Sequence, residues 1–86
     1  MDRDKLNNAS PVVVAQATYA LVDALQRHPP HIQAAAPAVL FLAMSKHLGV
    51  EPQDVMTAVN NLMADPIHGQ REEFRALRAY IQDQVR

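Results

Sequence analysis

Four histidines are the side chains in this sequence best suited to acid–base or metal chemistry near neutral pH. His28 and His31 flank the stiff pair Pro29-Pro30, and His47 and His68 lie near the ends of other segments. Transition-metal sites use three or four ligands, and no helical His-x3-His or His-x2-Glu pair supplies them here. We therefore predict no metal site and interpret the histidines as surface imidazoles at helix ends.

Hydroxyls and carboxylates also lack the spacing that catalysis needs. Ser45 and His47 are two residues apart on a predicted helix, and Glu72 and Glu73 are adjacent, so each pair points to different sides. The remaining hydroxyls that could pair with a histidine, none of them in a nucleophile elbow, are Ser10 and Thr18. Two glycines leave no phosphate-binding loop. The sequence predicts no catalytic residues, no cofactor and no enzyme.

The stretch from Leu42 to Val59 is predicted to be a helix, a glycine turn and a second helix. Ser45 lies four residues before Gly49, and Val55 lies six residues after it. These spacings resemble the helix-turn-helix pattern, in which a tight crossing needs a small residue before the turn. The resemblance covers about twenty residues and implies a possible DNA-binding role.

The second helix of this stretch exposes polar side chains that can hydrogen-bond base edges, namely Gln53, Thr57, Asn60 and Asn61. It carries no Lys or Arg, and Asp54 and Asp65 oppose phosphate, whose neutralisation dominates DNA affinity. An ordinary antiparallel helical hairpin is the competing interpretation. DNA binding is therefore kept as the alternative function.

An arginine stripe is the most specific feature of the sequence. At 100° per residue, Arg71, Arg75, Arg78 and Arg86 fall within about 80° of one another, with Gln82 between them. The stripe borders the apolar positions Phe74, Leu77, Ile81 and Val85, whose spacing is typical of coiled coils. Arg suits interface ion pairs and phosphate groups, so the target would be an acidic protein surface or a phosphate backbone.

A solvated rim is the alternative for this stripe, because Glu72 and Arg75, or Asp83 and Arg86, can pair at i,i+3. If the face is functional, aromatic and Arg side chains are the types that dominate interface energetics. The candidate partner-binding residues are Arg71, Phe74, Arg75, Arg78, Tyr80 and Ile81.

Composition places these residues on one small domain. The chain has 86 residues, no Cys, 49% apolar residues and a formal net charge of −1. The absence of Cys excludes disulfides, thiolate metal sites and a cysteine nucleophile, and a secreted domain this small usually needs such cross-links. The apolar fraction argues against disorder, and the charge balance argues against coating a polyanion. Of the 42 apolar residues 14 are Ala, so we expect a thin core.

Two stretches without charged residues, Leu6 to Val22 and His28 to Ser45, raise the question of a membrane span. Polar side chains interrupt the first, and the second has only eleven continuous apolar residues, Ala34 to Met44. The N-terminus also lacks the pattern of a signal peptide. We expect a soluble cytoplasmic protein.

Turn signals divide the chain into four helical segments after an N-terminal tip, residues 1–9, that we expect to be frayed. They run from Pro11 to Arg27, from about His31 to Leu48, from Pro52 to about Ala64, and from about Gln70 to the end. In the second we favour a short turn or helix, Pro30 to Ala36, that runs into a main helix from about Pro37 to Leu48, and a kink at Pro37 within one helix is the alternative. That segment is apolar all round, which is typical of a central helix or of one that meets a second chain.

The sequence therefore predicts an all-α fold, a compact bundle of four to five short helices with a central apolar helix in a single domain, residues 1–86. We expect a non-enzymatic protein–protein interaction module, an adaptor or inhibitor of a larger assembly. Because a thin core stabilises a single chain only weakly, we expect a homodimer or a subunit docked on a larger partner. The alternative is a helix-turn-helix transcriptional regulator.

Overall fold

The computed structural model describes residues 1–67 and 69–84, and most of their backbone is helical. The elements in chain order are α1 (Arg3–Asn7), α2 (Pro11–Leu25), α3 (Pro30–Leu48), α4 (Pro52–Met63), β1 (Ala64–Asp65), β2 (Gly69–Gln70) and α5 (Glu72–Gln84). The predicted all-α class with four to five helices is confirmed. No helix within the described ranges is both long and apolar enough to cross a bilayer.

Capping residues set the helix boundaries close to the predicted ones. The Ser10 hydroxyl accepts a hydrogen bond from the Val13 N–H at 3.4 Å, and Pro11 occupies the first position of α2. Gly49 ends α3 with a φ of 69°, and the Val50 N–H donates to the Ser45 carbonyl at 3.0 Å. A left-handed glycine followed by this hydrogen bond is the Schellman motif, which satisfies the last carbonyls of a helix.

α3 continues through Pro37, so the favoured division into a short turn or helix and a main helix is wrong, and Pro37 lies inside one helix. Proline removes the N–H that would bond to the carbonyl of Gln33 and crowds the preceding turn. Pro37 is exposed, and it lies next to strong helix formers, Ala36 and Ala38. The helix therefore tolerates the missing hydrogen bond.

The N-terminal tip, expected to be frayed, contains α1. The Asp2 carboxylate caps it by accepting hydrogen bonds from the N–H groups of Asp4 and Lys5 at 2.9 and 3.3 Å. α1 packs on α4, and Arg3 lies 3.0 Å from the Asp54 carboxylate. Tertiary contact thus stabilises a helix too short to form alone.

A small β-hairpin with two residues in each strand joins α4 to α5. Ala64 pairs with Gln70 and Asp65 pairs with Gly69 in an antiparallel ladder. Strands of two residues are too short to show period-two alternation, so the sequence indicates no strand there. The ladder fixes where α5 begins.

The interior lies mainly between α2 and α5. Ala15 and Val22 of α2 are buried against Phe74 and Leu77 of α5. The half-buried residues packed around them are Val14, Tyr19, Leu62, Met63 and Tyr80. These side chains are few and small, so the core is thin.

The central position expected for the second helical segment, observed as α3, is not seen in the single chain. Its buried residue is Ser45, and it packs mainly on α4 near its C-terminal end. α2 and α5 bury their apolar faces on each other instead, which leaves α3 without a covering layer. The other sequence expectation, that this helix meets a second chain, remains a prediction.

Candidate functional site

α3 exposes an unusual number of large apolar side chains. The exposed fractions are Val39 66%, Leu42 56%, Met44 45%, Leu40 44% and Leu48 39%. The ionisable residues of this helix lie near its two ends and are His31, Lys46 and His47. Its middle therefore presents a long apolar surface without charge, which is typical of protein interfaces rather than of solvated helices.

An open cleft of about 470 Å³ separates α2 from α3. A smaller hollow of about 120 Å³ adjoins it and shares Leu21, Leu25 and Pro37. Leu40 completes the apolar wall on the α3 side. We call the surface formed by Leu21, Leu25, Pro37 and Leu40 the α2–α3 cleft.

Pro29 and a side-chain hydrogen bond fix the mouth of this cleft. The Gln33 side-chain N–H donates to the carbonyl of Leu25 at 3.1 Å, which ties the last turn of α2 to the first turns of α3. The Pro29 carbonyl accepts from the N–H groups of Ile32 and Gln33, both at 3.0 Å, and so starts α3. These hydrogen bonds therefore fix the connection between α2 and α3 at this end of the cleft.

A second apolar feature lies around the helix from the cleft. At 100° per residue, Leu42 is about 140° from Pro37, and Ala35, Ala38 and Val39 lie near Leu42. We call Ala35, Ala38, Val39 and Leu42 the α3 ridge. Its four side chains are all exposed in the single chain.

Arg71, a predicted partner-binding residue, is already used within the chain. Its Nε donates to the Leu62 carbonyl at 2.6 Å, and its backbone N–H donates to the Met63 carbonyl at 2.8 Å. These bonds satisfy carbonyls at the end of α4, where α5 begins. Arg71 therefore positions α5, and one nitrogen of its guanidinium group already makes a hydrogen bond within the chain.

Phe74 and Tyr80 also serve the interior of the chain. Phe74 is 4% exposed, so its predicted place on a partner surface is corrected: it fills the space between α2 and α5. Tyr80 is half-buried, and its hydroxyl donates to the Asp23 carboxylate. The hydrogen bond to Asp23 and the nearby negative charge raise the pKa of Tyr80.

Arg75, Arg78 and Ile81 remain on the surface as predicted. Ile81 is 38% exposed, and with Arg78 it lines a shallow apolar groove of about 360 Å³. Arg75 and Glu72 do not form the i,i+3 ion pair considered from the sequence, since the ion pair found within residues 1–67 and 69–84 joins Arg3 to Asp54. Val85 and Arg86, which would extend the stripe, lie outside the described residues.

α4 presents the side chains proposed for reading DNA, but part of that face is occupied. Gln53, Asn60 and Asn61 are exposed. Thr57 lines the crevice between α4 and α1, and its hydroxyl donates to the Gln53 carbonyl at 3.0 Å. Ser45 is 3% exposed at the crossing of α3 and α4, as the helix-turn-helix pattern requires of its small residue.

The three histidines that the structure describes do not come together with other metal-ligating side chains. Among residues 1–67 and 69–84, no three His, Asp or Glu side chains are placed to hold a metal ion. His28, His31 and His47 are exposed at helix ends, and His68 lies outside the described residues. The Thr18 hydroxyl donates to the Val14 carbonyl at 2.8 Å, so it serves its own helix.

Sequence reasoning missed the α2–α3 cleft as a site. Leu21 and Leu25 are four residues apart on α2, and apolar residues at this spacing usually pack into the core of their own chain. The available signal was the absence of charge from His28 to Ser45, because an apolar helix of that length must be covered by something. The choice between a cover from the same chain and one from another molecule needed the fold.

Comparisons of this chain with family models, with curated proteins and with solved structures find no match.

Proposed function

We propose that this chain is a non-enzymatic helical interaction module that works as a homo-oligomer. The observation that carries the proposal is the apolar surface of α3 and the α2–α3 cleft, which the other residues among 1–67 and 69–84 leave open. Apolar patches of this extent on a small protein mark interaction sites.

Surface area supports the same proposal. The chain exposes 6446 Å². A compact monomer of 9.5 kDa exposes about 5,000 Å² by the usual scaling. The radius of gyration is 13.6 Å, against about 12 Å expected for this length. With extents of 35 × 34 × 18 Å, the molecule is a flat slab.

Light scattering coupled to size exclusion tests self-association directly. We expect a mass above that of one chain at high concentration, and the same mass at low and high salt, because apolar contacts are weakly screened. A single-chain mass at every concentration and salt would contradict the proposal.

The adaptor role depends on the exposed arginines of α5. Arg78 lines the apolar groove with Ile81, and Arg75 is exposed about one turn earlier on α5, so an acidic protein surface with apolar anchors would fit there. The charge-reversed variant Arg75→Glu, Arg78→Glu should lose proteins that the wild-type chain captures from native host extract. Its matched control is Ala76→Glu, Gln84→Glu, because both residues are exposed on the side of α5 away from the arginine stripe. Equal capture by all three chains would remove α5 from the proposal.

The alternative function, a helix-turn-helix regulator, is favoured by the buried Ser45 and the tight Gly49 turn. It is opposed by charge, because α4 carries no Lys or Arg and Asp54 holds the nearby Arg3. Fluorescence anisotropy with a labelled mixed-sequence duplex separates the two functions. Binding at low salt that weakens steeply as salt rises, by a chain that does not self-associate, would favour the regulator.

A further inference from the structure

We propose that the cover for the α2–α3 cleft is α3 of a second copy of this chain. The inference rests on the proposed self-association and specifies its geometry. Each α3 lies over the α2–α3 cleft of the other copy and inserts its α3 ridge there. The two copies are related by a two-fold axis, and the contact is the same in both directions.

Shape is the first argument, because the chain carries both halves of the contact. Val39 and Leu42 of the α3 ridge project from a helix and are among its most exposed residues. Leu21 and Leu25 line an open cleft that no described part of the same chain fills. Since α3 contributes to both features, one two-fold operation brings ridge to cleft twice.

Charge is the second argument. Residues near a two-fold axis meet their own copies, so a charged side chain there would face its own sign. The stretch from His28 to Ser45 contains no Asp, Glu, Lys or Arg. An uncharged apolar face provides no charge complementarity to a charged partner. A second copy presents the same uncharged apolar face and can pack against it.

Area is the third argument. The surface exposed beyond that of a compact monomer is about 1,400 Å² per chain, taken from the exposed area and the scaling relation. A stable dimer of standard size buries about 800 Å² per partner, and obligate dimers bury more. The excess is therefore large enough for a second copy to cover.

Thiol protection tests the inference, because the chain contains no Cys and any introduced cysteine reports one position. The variants are Val39→Cys on the α3 ridge and Val13→Cys on α2. Both valines are similarly exposed in the single chain, 66% and 60%, and Val13 does not line the cleft. Each variant is labelled with a bulky maleimide at chain concentrations below and above the onset of self-association.

We expect the labelling rate of Val39→Cys to fall about ten-fold on association, because access controls thiol reactivity, while that of Val13→Cys stays the same. A second comparison uses Leu40→Asp, which should give a single-chain mass in light scattering, and Val13→Asp, which should keep the wild-type mass. Leu40 and Val13 are both exposed in the single chain, so either charge can be solvated in the monomer.

The outcomes separate this inference from the proposed function. Wild-type chain that never exceeds a single-chain mass overturns both. Wild-type chain that associates, with Val39→Cys labelled at one rate throughout or with Leu40→Asp still associated, overturns the geometry alone. Association lost in Val13→Asp and retained in Leu40→Asp would place the contact elsewhere and also overturn it.

Discussion

Tyr80 of α5 donates its hydroxyl hydrogen to the carboxylate of Asp23 on α2, 57 positions earlier in the chain. The Tyr80 ring meets the Tyr19 ring edge to face, with centroids 5.0 Å apart. The Gln26 side chain also donates to the Asp23 carboxylate, at 3.1 Å. This polar cluster lies at one side of the apolar contact between α2 and α5. The protonation of Tyr80 is therefore linked to the stability of that contact.

Alkaline pH should weaken the folded chain through Tyr80. The hydrogen bond to Asp23 raises the pKa of Tyr80 above its ordinary value of 10.0. A pKa that is higher in the folded state contributes stability that is fully present below pH 10 and is lost as pH rises through the raised value. We expect the urea midpoint of wild-type chain to fall above pH 10, and that of Tyr80→Phe to fall less.

The pKa itself can be measured by tyrosinate absorbance. Because the chain has two tyrosines, the Tyr19→Phe background leaves Tyr80 as the single titrating phenol. In that background Asp23→Asn should bring the pKa of Tyr80 back toward 10.0. An unchanged titration curve after Asp23→Asn would contradict the role of this carboxylate.

Leu77→Ala should strongly destabilise the chain. Leu77 is 7% exposed in the α2–α5 core, and truncating a buried leucine costs about 2–5 kcal/mol of unfolding free energy. Leu77→Val is the milder variant because it removes less of the side chain, and we expect it to cost less unfolding free energy than Leu77→Ala. Arg78→Ala on the exposed side of α5 is the control and should change stability by less than about 0.5 kcal/mol. Equal effects of Leu77→Ala and Arg78→Ala on urea unfolding would contradict this core.

The helix boundaries could be predicted because short-range chemistry decides them. Ser10-Pro11 starts α2 and Gly49 ends α3, through hydrogen bonds and dihedral angles that involve a few neighbouring residues. The amphipathic pattern likewise indicated which face of α4 turns inward, where Ala58 is buried. For α2 it was wrong, because the buried residues are Ala15 and Val22, whereas Leu21 is 49% exposed.

The partners of each face could not be predicted, because they depend on contacts far apart in sequence. Phe74 lies on an apolar stripe that suits either a partner or the chain's own α2, and only the fold distinguishes the two. α1 forms because it packs on α4, about fifty residues away, and nothing in its local sequence signals that contact. The α2–α3 cleft exists because α5, rather than α3, occupies the buried face of α2.

Gly49→Ala should destabilise the chain through its backbone alone. Gly49 has a φ of 69°, in the left-handed region, and an added Cβ would meet no atom of the described residues within 4 Å. The left-handed conformation costs a non-glycine residue about 1–2 kcal/mol, so we expect a loss of that order in urea unfolding. Gly49→Asn should lose less, because Asn tolerates this conformation better. A Gly49→Ala chain as stable as the wild type would show that the turn adopts another conformation.

Pro37→Ala should stabilise α3. The substitution supplies the N–H that proline lacks, which can donate to the Gln33 carbonyl, and proline costs up to about 3 kcal/mol relative to alanine inside a helix. Pro30→Ala is the matched control, because the first position of a helix makes no such bond and should show little change. Urea unfolding at one fixed chain concentration measures both, since self-association adds to apparent stability. A Pro37→Ala chain less stable than the wild type would mean that the proline ring in the α2–α3 cleft contributes more than the hydrogen bond it removes.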